Sequence, residues 1–194
     1  MARPKEFDVD EALARATDTF WQRGYAATSM QHLVDVMGIQ KASLYGTFGD
    51  KHSLYLAALR SYQQQALADL EKSLLGPGSA RTALRDLLSG LAGQVCGAKG
   101  KRGCLCVNAN VELAPQDADV AELLRAHSEC VEAVFERTLQ RAKAEGDLPK
   151  GADCKQLATF LFGIVVALNV LGKQRAGRTR LQALANQALA ALHM

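Results

Sequence analysis

Gln40, Lys41, Ser43 and Tyr45 bring an amide, an ammonium, a hydroxyl and a phenol into six consecutive residues. On a helix that buries Leu44, these groups face solvent together, a set that can donate to and accept from base edges and phosphate oxygens. The parts needed for catalysis are missing: no Ser/His/Asp set, phosphate-binding glycine loop or metal box occurs, and His32, His52, His127 and His193 are scattered. No catalytic residue, cofactor or metal ligand is therefore assigned. Further on, Cys104, Asn108 and Glu112 recur every fourth residue and share one helical stripe. A polar stripe in an apolar bundle suits the wall of a ligand cavity. It equally suits the capping of neighbouring helices or a junction between two parts of the chain.

The elements that must position the first group are legible around it. Thr28 can N-cap a short helix, with Gln31 as its capping-box partner. Met30, Leu33, Val34 and Met37 then fall on one face, and Gly38 can take the left-handed conformation that ends a helix sharply. A second short helix runs from about Gln40 to Gly46. Two short helices hinged at a glycine, the outer one polar, are how a chain presents a recognition helix to the DNA major groove.

The run Leu44-Tyr45-Gly46-Thr47-Phe48-Gly49-Asp50-Lys51, preceded by Phe20 and by Gly24-Tyr25-Ala26-Ala27-Thr28, resembles the TetR-type bacterial transcriptional regulators. The resemblance covers roughly residues 6–66. It implies an all-α fold: an N-terminal three-helix helix-turn-helix DNA-binding domain at 6–66, its helix-turn-helix at about 29–48, and a C-terminal helical ligand-binding and dimerisation domain at 67–194. It also implies a repressor released from a palindromic operator by a small-molecule inducer. On this reading Gln40, Lys41, Ala42 and Ser43 meet bases, with Lys41 suited to a guanine edge or to phosphate. Tyr45 and Lys51 clamp phosphates, and Thr28 and Ser29 offer hydroxyls beside helix N-terminal amides. Two departures stand out: Gln40 is a weak N-cap where the family often has Ser or Thr, and Gly46 follows Tyr45.

Composition bounds the rest. With 194 residues and 48% apolar content, the chain has ample core, and its abundance of Ala and Leu favours helices. The net charge of +3 is only mildly basic, and residues 1–55 hold six Lys/Arg against seven acids, so the DNA-binding reading rests on the motif and not on charge. No signal-peptide pattern opens the chain, which points to the cytoplasm. The apolar stretch 157–172 is short for a bilayer span and carries Asn169, so no membrane is expected. Five cysteines without a C-x-x-C pair read as free thiols.

Gly76-Pro77-Gly78-Ser79 opens a second helical layer, with helices expected over about 80–95, 104–113, 117–145, 153–171 and 179–192. In the last two, Leu157, Leu161, Ile164 and Leu168 and then Leu181, Leu184 and Ala188 step by three and four. Faces this apolar predict a four-helix interface with a second copy. The expected partners are a double-stranded operator, a second copy of the chain and an unidentified small-molecule effector. Cys104, at a helix start near Lys99, Lys101 and Arg102, is either a core thiol or a redox or electrophile sensor. A helical ligand-binding protein with a vestigial DNA head is the remaining alternative.

Overall fold

The computed structural model describes residues 7–192, with the backbone alone at 98 and 99, and the described residues form nine α-helices and one 3-10 turn. The helices are α1 (Val9–Arg23), α2 (Met30–Met37), α3 (Lys41–Phe48), α4 (Lys51–Leu75), α5 (Ala80–Val95), α6 (Leu105–Glu112), α7 (Ala118–Glu145), α8 (Cys154–Lys173) and α9 (Arg178–Ala191), with the 3-10 turn (Ala98–Arg102) between α5 and α6. His193, and Arg3 and Lys5 at the other end, lie outside the described residues, as does the side chain of Lys99.

Most helix starts are set by the acidic and hydroxyl caps visible in the sequence. Asp8, Asp50, Asp117 and Asp153 each accept main-chain amides from the first turn they precede. One cap is displaced by a residue. Ser29, not Thr28, caps α2 by accepting the His32 amide at 3.1 Å, and Gln31 turns to Asp35 instead of closing a capping box. Thr28 is fully buried, its hydroxyl donating to the Gly24 carbonyl at 2.7 Å. Gly38 ends α2 at φ 68°, the left-handed conformation that glycine adopts without a Cβ penalty.

Two apolar cores share α4 and α7. The upper one is built from α1 to α3 and the first half of α4 around Phe20, Leu33, Leu44 and Leu59. It also takes in Leu105, Ala109 and Leu113 of the α6 segment, and Val120 and Leu124 of α7. Helix α6 follows residue 67 in sequence yet buries its apolar side in the head. The lower core packs α5, α7, α8 and α9 around Leu88, Phe135, Leu161 and Leu181.

Helix α8 is apolar on three faces, and this corrects four of the seven residues expected at the dimer seam. Leu161 and Leu168 are fully buried inside the single chain, as are Leu181 and, to 2% exposure, Ala188 of α9. They build the protomer's own core. Leu157, Ile164 and Leu184 are half-buried against that core. A second face, with Phe162, Val165, Val166 and Asn169, lines a cavity. The outward face carries Phe160 and Val170, 40% and 38% exposed; between them Gly163, which also edges the cavity, has nothing within 4 Å of where its Cβ would stand. By length and composition α8 also passes as a bilayer span, but it packs as a bundle helix. The period of the apolar residues identified a helix; a helix apolar all round gives no sign of which stripe is core.

Candidate nucleic-acid interface and effector cavity

Helix α3 buries only Leu44 and leaves Gln40, Lys41, Ala42 and Tyr45 exposed, with Ser43 half-buried. Gln40 makes no side-chain cap, so its amide is free to reach outward. The scaffold beneath is rigid. Tyr55 stands edge-on to Phe20 at 4.9 Å and to Tyr25 at 5.0 Å, locking α1, the α1–α2 turn and α4 together. Lys51 lies over the Tyr25 ring at 4.2 Å, a cation–π contact that holds the ammonium against the head. Burial lowers the Lys51 pKa, and the nearby Glu112 carboxylate opposes that shift.

Several ties join this head to the body. The Glu112 carboxylate, at the end of α6, accepts the backbone amides of Tyr25 at 3.1 Å and Ala26 at 2.9 Å. Gly24 makes room for it, because a Cβ there would stand 2.8 Å from the carboxylate. Trp21 donates its indole N–H to the Gly103 carbonyl at 2.9 Å. Arg102 pairs with Asp18 and stacks over the Trp21 ring. His52 meets Asp117 at 2.8 Å, and the Val120 amide and then His52 hold the Asp117 carboxyl below its usual range.

A cavity of about 930 Å³ opens beneath the head. Its wall is mainly apolar, with Leu91, Phe135 and Phe162 from the body, Trp21 from α1 and Tyr62 from α4. Polar groups also line it: Asp69, Lys72 and Ser73 of α4 and Gln94 of α5, with Cys104, Cys106, His127 and Asn169. Burial lowers the His127 pKa, which favours a neutral imidazole. A volume and lining of this kind suit a drug-sized apolar or amphipathic molecule.

Of the expected ligand stripe, only Cys104 reaches this cavity. Cys104 is the N-cap of α6, with extended backbone, so counting every fourth residue from it does not follow one helical face. Asn108 accepts from Lys173 at 2.6 Å and donates to the Arg102 carbonyl, and Glu112 serves the head. Cys106, Val107 and Asn110 line the cavity in their place. Cys106, in the first turn of α6, lines the cavity alongside Cys104. The neighbouring Cys106 thiol, then the Val107 amide and the Tyr62 hydroxyl, which donates to Cys104 Sγ at 3.6 Å, hold the Cys104 thiol below its ordinary range. Arg102 does not contribute, being committed to Asp18.

Sequence reasoning missed five further residues. Trp21 and His127 gave no local signal of a shared cavity. His52, Asp117 and Asp119 bring potential metal-ligand atoms within 4.8 Å of one another, a grouping that no sequence spacing announces.

A recognition helix displayed on a small helical head, tied to a helical body with a ligand-sized cavity, defines a one-component transcriptional regulator. Residues 12–58 match the model of bacterial regulatory proteins, tetR family, and residues 78–188 that of the tetracyclin repressor-like C-terminal domain. The chain is 34% identical over 183 residues to the uncharacterized HTH-type transcriptional regulator YezE of Bacillus subtilis (strain 168), spanning 94% of each chain. It is 31% identical over 188 residues to the HTH-type transcriptional repressor ComR of Escherichia coli (strain K12), spanning 96% of this chain and 90% of that one. Among solved structures, a cysteine-substituted form of the TetR family transcriptional regulator CifR, complexed with double-strand operator DNA, superposes with a TM-score of 0.86 at 36% identity, spanning 98% of this chain and 100% of that one. The chain belongs to the TetR family of DNA-binding transcriptional regulators, which is not a family of enzymes.

Proposed function

We propose that the chain acts in the cytoplasm as a homodimeric repressor that holds a palindromic operator and releases it when a small hydrophobic or amphipathic effector enters the cavity. The observation that carries this reading is α3, whose polar residues face outward from a head that is otherwise packed and aromatic-locked. The head comprises residues 6–66 and the body 67–194, with α6 as the body's insertion into the head's core. Gln40, Lys41, Ala42 and Ser43 meet base edges, and Tyr45, Lys51 and the α2 N-terminus at Ser29 meet phosphates. Buried Thr28 acts through the turn that sets α2.

The second copy docks on the outward stripe of α8, Phe160, Gly163 and Val170, where the missing Cβ lets helices approach closely. An effector lodged between Trp21, Tyr62 and Phe162 pushes on α4 and α6 together and alters the spacing of the two heads. A coupling of about 1–3 kcal/mol is enough to free the operator. Relatives described as regulators and repressors, one of them solved on operator DNA, support this and lend nothing to a vestigial head. Footprinting on the chain's own upstream DNA tests it: two protected half-sites in inverted repeat, about one helical turn apart, are expected. Uniform, sequence-independent protection would overturn the proposal.

A further inference from the structure

We propose that His52, Asp117 and Asp119 form a binding site for one divalent transition-metal ion of the zinc type, which fastens the first turn of α4 to the first turn of α7. None of the three residues lines the effector cavity, and the site does not depend on what enters it.

An imidazole nitrogen and two carboxylate oxygens, carried by two separate helices, lie within 4.8 Å of one another. Zinc binds nitrogen and oxygen at about 2.0–2.2 Å, which sets tetrahedral ligand atoms roughly 3.3 Å apart, so small side-chain rotations bring all three into range. His52 Nε2 and Asp117 Oδ2 already stand 2.8 Å apart. The ion takes the place of the proton between them, and the imidazole keeps its proton on Nδ1. The other oxygen of Asp117 prepares it for this role. Oδ1 accepts the Val120 amide at 3.0 Å, which orients the carboxylate and leaves Oδ2 directed at His52. Asp119 is exposed, and the His52 and Asp117 side chains remain 32% and 18% exposed, so an ion reaches the group from solvent and water completes its coordination.

The charge around the three groups favours a cation. Asp50, the cap of α4, is close enough to His52 for their charges to interact. Burial, and then the Asp50 and Asp117 carboxylates, push the Tyr25 hydroxyl above its ordinary range, the mark of surplus negative potential at this joint. Lys51 lies over the Tyr25 ring, and its charge answers to Glu112 rather than to these carboxylates. An imidazole among carboxylates suits zinc and its first-row neighbours, whereas magnesium and calcium take oxygen ligands. His52 belongs to the helix that follows α3 directly, and Asp117 opens α7. A bound ion therefore adds a link between the DNA head and the body, and resists movement of one against the other.

Titration of the full chain with Co²⁺, followed by visible absorption, tests the site, because Co²⁺ accepts zinc ligand sets and reports them by colour. One Co²⁺ per chain is expected, displaced by Zn²⁺, without the near-ultraviolet charge-transfer band that ligation by cysteine thiolates would give. His52→Ala and Asp119→Asn should each weaken binding by more than about tenfold, the least that losing even a partner which merely orients a ligand costs a metal site. Zn²⁺ should raise the melting temperature of the wild type and leave that of Asp119→Asn unchanged, since an ion bound only by the folded chain stabilises it. Asp119→Asn alters an exposed carboxylate outside the His52–Asp117 pair, so the fold does not hinge on it, and an ion pair with no metal predicts that it changes neither readout. Absence of saturable Co²⁺ binding, a thiolate band in its place, wild-type affinity in both variants, or a melting temperature that Zn²⁺ leaves unmoved would overturn the proposal.

Discussion

The Glu112 carboxylate accepts the Tyr25 amide at 3.1 Å across 87 residues of sequence, and so fastens the last turn of α6 to the α1–α2 turn of the head. The first turn of the same helix carries the cavity thiols. One eight-residue helix therefore touches the cavity with one end and the DNA head with the other.

Removing that clamp leaves two main-chain amides without their acceptor. Glu112→Ala is expected to destabilise the chain by about 1.5–3 kcal/mol, the usual worth of hydrogen bonds to a charged group. Gly24→Ala should do similar damage, since it places a Cβ against the carboxylate at φ 81°. Thermal denaturation of both variants checks this, and melting temperatures equal to wild type would contradict it.

The three faces of α8 make different predictions. Leu168→Ala empties a fully buried site and should cost about 2–5 kcal/mol of stability while leaving the dimer intact. Phe160→Glu or Val170→Glu, on the outward stripe, should give a folded monomer with weak operator binding. Sedimentation velocity distinguishes the two classes.

Cys104 should remain nucleophilic at pH values where an ordinary free thiol has lost its reactivity. Its thiol is held down first by the neighbouring Cys106 thiol, then by the Val107 amide and Tyr62. A folded-state pKa below the unfolded one gives a stabilising contribution that is complete above the ordinary thiol value of about 8.5 and lost as pH falls through the folded one. Iodoacetamide labelling followed against pH should place the Cys104 midpoint below the ordinary thiol value, and Cys106→Ala should move it upward. A Cys104 midpoint at or above the ordinary thiol value would contradict the expectation.

Local features were legible in the sequence and remote ones were not. Apolar periodicity and turn residues located α5 to α9 to within two or three residues, and the Gly38 hinge marked the recognition helix. Thr28 and Ser29 are both competent caps, so composition alone did not separate them. Helix α8 is apolar all round, which hid the difference between its core and outward stripes. The Glu112–Tyr25, His52–Asp117 and Trp21–Gly103 ties join residues 65 or more apart, and no periodicity carries such pairings.

The most direct test of the account is the affinity of the chain for its footprinted operator, measured by fluorescence anisotropy with excess competitor DNA, for wild type and for Lys41→Ala/Tyr45→Ala. The account predicts two protomers per duplex, a loss of about a hundredfold or more in the double variant, and a shallower salt dependence, with the melting temperature unchanged because both side chains are exposed. Equal affinity and equal salt dependence in the two proteins would contradict α3 as the surface that reads DNA.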